Sequence, residues 1–233
     1  MQPLSSSALL DLWERASALH SLDRALLALS AALPEVPAAS LADWPLGRRN
    51  QALLELHCCC FAASLQGWTG CASCGEKMEF DLEGGALLRQ NSSLHEKVAF
   101  KGRQFRLPSS RDLAALGDET DSHAAAIRIL RLCCLGDDEG REWVDQDVEE
   151  IGERMALADP LAEITISLRC PGCRQESVET LDIVSFVWEE IQARAKRLYW
   201  EVHSIASVYG WSETEILSLS PARRLHYLEM VKA

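Results

Sequence analysis

Two pairs of cysteines, each with two residues between them, are the part of this sequence best suited to chemistry. The first pair is Cys71 and Cys74, followed by Gly75, and the second pair is Cys170 and Cys173. A C-x-x-C turn lets both thiolates face one cation, and two such turns supply the tetrahedral set of four sulfurs that zinc prefers. We therefore expect Cys71, Cys74, Cys170 and Cys173 to hold one structural Zn²⁺ ion.

Short stretches that alternate apolar and polar residues flank both pairs, which is typical of strands. KMEFDLE follows the first pair, and EITISLR and ESVETLDI lie on either side of the second. Strand, turn and strand is the zinc-ribbon unit, but the 95 residues between Cys74 and Cys170 far exceed the spacing of a compact ribbon. The sequence therefore predicts a discontinuous ribbon-like sheet with a helical segment inserted between its halves. A metal that joins such remote segments would contribute directly to the folding free energy.

Other roles for the two cysteine pairs remain open at this point. They could be buried free thiols or exposed redox pairs, although neither pair precedes a clear helix, as a thioredoxin-like motif would. Catalytic zinc is disfavoured because four thiolates leave no coordination position for water. The sequence has no Gly-rich phosphate loop, no H-E-x-x-H and no G-x-S-x-G, and its six histidines are scattered. We predict that the protein is not an enzyme and has no catalytic residues.

The other cysteines indicate a reducing compartment. The chain has nine cysteines, an odd number, and three of them are consecutive at Cys58, Cys59 and Cys60. These three lie on an apolar helical stretch that we expect to end at Gly67. Adjacent helical residues point about 100° apart, so these thiols cannot converge on one metal, and we expect them to be small core residues. With no basic n-region before an apolar segment at the start, the sequence predicts a cytoplasmic location.

The order of helical and strand patterns predicts an α+β fold that is mainly α. Ser7 and Ser21 are candidate caps for two N-terminal helices, and the helical period returns from Ile183 to the end. The predicted units are an N-terminal helical region, the first half of the zinc-ribbon-like sheet with KMEFDLE, VAFKG and QFRLP, an acidic helical insertion, the second half of the sheet, and a C-terminal helical region. Their boundaries are 1–66, 67–108, 109–159, 160–182 and 183–233.

Charge restricts the class of partner. The net charge is −12, and residues 109–159 alone contain 14 acidic and 5 basic residues, a balance of −9. Such a field disfavours phosphate backbones and anionic membranes, and no apolar run approaches the length of a membrane span. The insertion is best interpreted as amphipathic helices with a solvated acidic face, and an acidic docking surface is the alternative. In that case, neutral residues at Asp145, Asp147, Glu149 and Glu150 would weaken partner binding with little effect on folding.

The C-terminal sequence predicts three helices that pack together. Gly210 ends the first, Ser212 and Glu215 form a capping box for the second, and Ser220 with Pro221 begins the last. A glycine between two helices superficially resembles a helix-turn-helix. However, acidic and basic residues number six each from Ile183 onward, whereas a groove-reading helix normally has a basic face.

Seven segments that together span nearly the whole chain form a recognisable set, namely LLDLWERASALHSLDRALLAL, PLGRRNQALLELH, CASCGEKMEFDLE, FRLPSSRDLAAL, ADPLAEITISLRCPGC, LDIVSFVWEEI and EVHSIASVYGWSETEILSLSPARRLHYLEMV. These segments resemble the T4 family of baseplate hub assembly chaperones, which occur with contractile phage tails and phage-tail-like injection systems. The four paired cysteines fall on the family's cysteine motifs, with Ala72 where a proline is expected. Its C-terminal motif falls on Trp211, Ser212, Glu215, Ile216, Arg223, Arg224 and Tyr227.

The resemblance implies a non-enzymatic factor that helps to assemble the baseplate hub by binding hub or tail proteins. From the acidic charge and the absence of enzyme motifs we expect no nucleic acid, membrane or small-molecule partner. Two alternatives remain, a stoichiometric structural component of the baseplate and a zinc-ribbon regulator that binds nucleic acid.

Overall fold

The computed structural model describes residues 1–90, 97–136 and 143–232, and it is 57% helical with 17% strand. The helices are α1 Ser6–Ala16, α2 Ser21–Ala32, α3 Ala38–Leu41, α4 Leu46–Cys60, α5 Gly84–Gln90, α6 Ser110–Leu116, α7 Ser122–Cys133, α8 Asp145–Ala158, α9 Ile183–Tyr209, α10 Glu213–Ser218 and α11 Pro221–Lys232. The strands are β1 Ser64–Gly70, β2 Lys77–Glu83, β3 Lys97–Phe100, β4 Arg103–Arg106, β5 Cys134–Leu135, β6 Ile164–Arg169 and β7 Glu176–Leu181. The predicted α+β class, mainly α, is confirmed, and the strands form small antiparallel sheets.

The main core is formed chiefly by α1, α2, α4 and α9, together with Leu65 of β1 and Ile164 of β6. The 27-residue α9 contacts each of the other three helices. The buried positions of α9 recur every three or four residues, which gives it a continuous apolar face. Asp182 caps its start by accepting hydrogen bonds from the backbone N–H groups of Val184 and Ser185. Gly210 ends it at φ +68°, a left-handed conformation that glycine adopts without steric cost. Helix α9 is therefore the long element against which the N-terminal helices pack.

The two cysteine pairs lie at the turns of two separate hairpins. Strand β1 pairs with β2 in antiparallel register from Ser64↔Glu83 to Gly70↔Lys77, and β6 pairs with β7 from Ile164↔Leu181 to Arg169↔Glu176. In β2 and β6 the apolar residues alternate toward the interior, as the sequence pattern predicts. Strand β7 differs, because Val178 is exposed and Glu179 occupies an inward position. The described strands do not join into one ladder, so the predicted halves of a single sheet are two hairpins that meet at their turns.

Strand β1 is a correction to the sequence prediction, which continued the α4 helix to Gly67. The helix ends at Cys60, and Gly67 lies in the middle of β1 opposite Phe80. The Phe80 ring covers Gly67 so closely that an added Cβ would lie 2.4 Å from Cζ of the ring. The glycine therefore accommodates a cross-strand aromatic ring and does not terminate a helix.

Strands β3 and β4 also differ from the prediction, which grouped them with the first cysteine pair in residues 67–108. They pair with each other and with β5, in a three-stranded sheet separate from the hairpins. This sheet packs with α7 and α8 around a second core in which Phe105 and Ile151 are fully buried. The inserted module thus begins at Lys97 within the described residues, and it contains strands as well as acidic helices.

A polar seam attaches the inserted module to the start of α4. The backbone N–H of Gly47 donates to the buried carboxylate of Asp159 at 2.9 Å, and Arg49 donates to the hydroxyl of Ser110 at 3.0 Å. Asn50 donates to the Leu161 carbonyl at 2.8 Å. The seam satisfies polar groups on both sides and fixes where the module lies on the helical core.

Helices α10 and α11 pack on α9 as the sequence predicts, around Ile205, Ile216 and Leu228. The capping box of Ser212 with Glu215 is confirmed. At the N-terminus the caps are shifted, since Ser5 and not Ser7 caps α1, and the His20 imidazole and not Ser21 caps α2. No described helix has both the length and the hydropathy needed to cross a membrane.

Candidate metal centre

The first cysteine turn is held by its own backbone. The N–H of Cys71 donates to the Glu76 carbonyl at 2.8 Å, and the N–H of Gly75 donates back to the Cys71 carbonyl at 2.8 Å. Gly75 has φ +75°, so the chain reverses through a left-handed residue directly after Cys74. This closed turn places both thiols on the same side of the hairpin end.

The second turn repeats the first residue for residue. The N–H of Cys170 donates to the Gln175 carbonyl at 2.9 Å, and the N–H of Arg174 donates to the Cys170 carbonyl at 3.0 Å. Arg174 takes the place of the glycine with φ +62°, which is unusual for a residue with a Cβ. Two equal turns therefore face each other at the ends of the two hairpins.

The structure brings all four predicted ligands together. The four Sγ atoms of Cys71, Cys74, Cys170 and Cys173 lie within 4.8 Å of one another. The Cys71–Cys173 and Cys74–Cys170 Sγ distances are both 3.6 Å. Four sulfurs at the ~2.3 Å zinc–sulfur distance would lie about 3.8 Å apart in a tetrahedron. The four cysteines can therefore hold a metal ion, and their spacing fits tetrahedral coordination.

Electrostatics around the thiols favours at least one thiolate. Backbone N–H groups of Cys74 and Ser73 donate to the Cys71 sulfur and lower its pKa to about 7. The backbone N–H of Glu76 also donates to Cys74, but the adjacent thiols of Cys170 and Cys173 raise the pKa of Cys74 to about 12. Packing four thiols this closely therefore opposes ionisation of them all, and a divalent cation would relieve that repulsion.

The centre is half-buried. Cys71 and Cys170 are buried together with Met78, and Leu168 packs beside them, while Cys74 and Cys173 are exposed. All four thiols are free. The contacts therefore run from one hairpin to the other, and a bound metal would connect segments that share no strand ladder.

The consecutive cysteines do not join the centre, and the expectation that all three lie in the core is wrong. Cys59 is exposed, and Cys58 and Cys60 are only half-buried because they occupy the last turn of α4. Burial raises the pKa of Cys60, whose sulfur accepts a hydrogen bond from the Leu4 N–H at 3.3 Å. The half-buried Cys58 and Cys60 therefore take part in packing at the helix end, and none of the three thiols belongs to the cluster of four paired cysteines.

The histidines remain scattered within the described residues. His57 is buried in α4 between the rings of Phe61 and Phe186, and burial lowers its pKa. His20, His123, His203 and His226 are exposed, and His95 lies outside the described residues.

The C-terminal motif residues divide into structural and exposed groups. Arg224 is fully buried and donates to Glu201, to Ser6 and to the Leu219 carbonyl. Arg223, directly before it, is exposed. Of the remaining positions, Trp211 and Tyr227 form a half-buried aromatic pair. Ser212 and Glu215 form an exposed capping box, and Ile216 is buried.

The acidic face of α8 is smaller than its sequence indicates. Asp147 is buried, and its carboxylate lies 2.6 Å from Nζ of Lys101. Glu150 forms an ion pair with Arg154 at 2.6 Å. Asp147 therefore belongs to the packing of the module, and its replacement will affect folding as well as any surface role.

Sequence reasoning missed a second feature of the hairpins, a groove lined by Trp68, Phe80, Glu179, Asp182, Phe186, Glu189 and Glu190 among others. The only local signals were a glutamate at an inward position of a strand and two adjacent glutamates at the start of α9.

No protein family model, curated protein or solved structure matches this chain.

Proposed function

We propose that this protein is a non-enzymatic assembly factor for the baseplate hub of a contractile phage tail or phage-tail-like injection system. It acts in the cytoplasm of the bacterial or phage-infected cell by binding hub or tail proteins. The observation that carries the non-catalytic part is the arrangement of four cysteines within 4.8 Å, since four protein ligands leave no coordination position for water or substrate. The hub assignment is supported by the sequence segments that resemble hub assembly chaperones.

We propose zinc as the metal, present as one structural ion per chain. The donor set consists of four sulfurs, and their 3.6 Å closest separations suit a small tetrahedral cation. When bound, the ion would neutralise the thiolates and connect the two hairpins. The four cysteines would supply its complete coordination, with backbone N–H groups donating to Cys71 and Cys74.

Surface composition supports protein binding as the activity. Large apolar side chains remain strongly exposed on the two hairpins and on α8, with Trp68 65%, Val178 69% and Leu157 81% exposed. Exposed apolar side chains beside polar ones are typical of protein–protein contact sites.

The zinc proposal is tested by elemental analysis of the purified protein with matched cysteine variants. We expect one zinc per chain in the wild type and in Cys59→Ser, whose thiol is exposed and outside the centre. We expect Cys170→Ser to lose both the metal and solubility, because a buried ligand is removed. Folded wild-type protein without zinc would contradict the proposal.

The hub proposal is tested by affinity purification of the tagged protein from cells that express the surrounding tail or injection-system genes. Mass spectrometry is applied to the soluble complex and to finished particles. Hub or spike subunits in the complex, with this chain absent from particles, would support an assembly factor, whereas its presence in particles would favour a structural component. Recovery of no tail protein would overturn the proposal, and retention of DNA at about 0.15 M salt would favour a regulator.

A further inference from the structure

A groove of about 430 Å³ lies between the two hairpins and beside the start of α9. Two stretches of consecutive residues line it, 66–69 from β1 and 179–182 from β7 and the residue after it. None of the four cysteines lines it, so the groove is separate from the metal centre.

Both strands that line the groove have an unpaired edge within the described chain. Strand β1 pairs only with β2, and β7 pairs only with β6. Residues 66–69 and 179–181 make no described backbone hydrogen bond outside these two ladders. Unpaired strand edges present N–H and C=O groups to which an extended peptide can add as a further strand.

The groove also has an apolar surface on which a peptide can pack. Phe80, Ile166, Leu181 and Phe186 line it, and Phe80 and Phe186 are only half-buried. Trp68 lines it too and is 65% exposed. Aromatic rings of this kind bind aliphatic side chains and also the flat guanidinium group of arginine.

The charge of the groove is entirely negative. Glu179, Asp182, Glu189 and Glu190 line it, and no lysine or arginine does. Glu179 is opposite Ile166 in the hairpin register, so this carboxylate occupies an inward position where the neighbouring residues are apolar. Within the described chain, the carboxylates of Glu179, Glu189 and Glu190 have no ion pair.

Two nearby groups are already engaged. Asp182 accepts the capping hydrogen bonds of α9. Lys77, which does not line the groove, has Nζ 5.4 Å from the centre of the Trp68 ring and forms an ion pair with Glu79. The three glutamates are therefore the charges that remain for a ligand.

We propose that this groove binds an extended segment of a partner protein that carries arginine or lysine at alternate positions. Alternation follows from strand geometry, because every second side chain of an added strand points the same way. Cationic side chains would meet the three glutamates and the aromatic rings, while the peptide backbone pairs with a strand edge. This inference rests on the proposed function in that the activity is protein binding, and it specifies the chemistry of the partner.

The first test measures binding of a fluorescein-labelled decapeptide of alternating arginine and valine, by anisotropy at 0.15 M salt. We expect saturable binding to the wild type and about tenfold weaker binding to E179Q/E189Q/E190Q, which removes three charges of exposed or half-buried groups. The matched control is D118N/E149Q/E153Q, which removes three exposed charges from the inserted module. We expect its affinity to remain within twofold of the wild type.

Four results of the peptide measurement would overturn the inference. The first three are no binding of the arginine peptide to the wild type, equal weakening by the two triple variants, and equal binding of a decapeptide of alternating glutamate and valine. The fourth is weaker binding by the control variant alone, which would place the docking site on the acidic insertion. Equal weakening would show attraction to net charge alone.

A second measurement separates this inference from the hub proposal. The tagged wild type and E179Q/E189Q/E190Q are purified side by side from cells that express the tail genes. Hub subunits on the wild type but not on the variant would support both proposals. Equal recovery would overturn the groove and leave the hub function standing. If the wild type recovers no tail protein, the hub function fails, and the peptide measurement still decides the groove.

Discussion

Arg174 and Gly75 occupy the same position of two equal turns with different steric costs. Both residues have positive φ, +62° for Arg174 and +75° for Gly75, and both donate the N–H that closes the turn. A left-handed conformation costs a residue with a Cβ roughly 1 kcal/mol more than glycine. The second turn is therefore the more strained of the two.

We expect Arg174→Gly to stabilise the protein by about 0.5 kcal/mol and Gly75→Ala to destabilise it by about 1 kcal/mol. The exposed Arg174 side chain offers little packing to lose. Urea unfolding of the purified protein with added zinc measures both changes. A neutral effect of Gly75→Ala would show that the turn tolerates a Cβ, and the strain argument would then fail for both residues.

The adjacent arginines of the C-terminal motif have different roles. The guanidinium of Arg224 lies 2.9 Å from the carboxylate of Glu201, and both side chains are buried, whereas Arg223 is exposed. We expect Arg224→Ala to lower the free energy of unfolding by about 3 kcal/mol, because it leaves Glu201 buried with only Arg197 as a partner. Arg223→Ala should change it by less than about 0.5 kcal/mol. Chemical denaturation of the two variants makes the comparison, and equal effects would contradict it.

At the scale of single elements, the structure shows why some predictions from sequence succeed. Strands β2 and β6 and the cysteine turns are encoded locally, by period-2 alternation and by short spacing. Strand β1 has glycines at 67 and 70 and no such pattern, and its conformation depends on pairing with β2. The sheet membership of β3 and β4 depends on a two-residue strand 28 or more residues away, which no local pattern reveals.

The candidate metal site could be predicted from the sequence, whereas the groove could not. Two C-x-x-C motifs indicate a shared metal site whatever the number of residues between them, because few other roles suit that pattern. The groove glutamates come from two elements, and each is ordinary in its own segment. Only the packing of the hairpins against α9 shows that Glu179 and Glu190 line the same space.

Helix α6 depends on a buried carboxylate at its first turn. Burial would raise the pKa of Asp112, but hydrogen bonds from Arg106 and from Ser109 outweigh it and hold this pKa below the ordinary value of 3.8. A lowered pKa means that the carboxylate stabilises the fold above pH 3.8 and that this contribution is lost as the pH falls further, through the pKa of the folded state.

We expect Asp112→Asn to cost about 2 kcal/mol at pH 7, through loss of the capping box and of the ion pair with Arg106. The difference from the wild type should stay constant from pH 7 to pH 5 and shrink below pH 4. Urea unfolding across that range is the measurement, with the exposed Asp118→Asn as the control. A difference that grows toward acid pH would reverse the assigned direction of the pKa shift.

A bound metal would influence the two largest cores of the described residues unequally. The main core uses α1, α2, α4 and α9, while the inserted module packs its sheet, α7 and α8 around its own apolar residues. The four cysteines lie at the turns of the two hairpins, in a small cluster with Met78 that is separate from both cores. Removal of the metal should therefore act first on the hairpins.

We expect chelation to increase amide hydrogen exchange in residues 64–83 and 164–181 by at least about tenfold, with little change in 98–106 and 148–158. Exchange followed by mass spectrometry resolves these segments, and Cys59→Ser serves as a variant with an intact centre. Uniform loss of protection across the chain would show instead that the metal stabilises both cores together.

Cys71 and Cys173 belong to the same candidate metal centre but lie 102 positions apart in the sequence, which has a consequence during translation. At about 5–20 residues per second, the second pair leaves the ribosome roughly 5–20 s after the first. During that interval Cys71 and Cys74 supply only half of the ligands, and the whole inserted module is translated before the second pair is available. A metal would then bind at full affinity only after the second hairpin has been synthesised. The metal content would therefore distinguish a nascent or truncated chain from one that contains both hairpins.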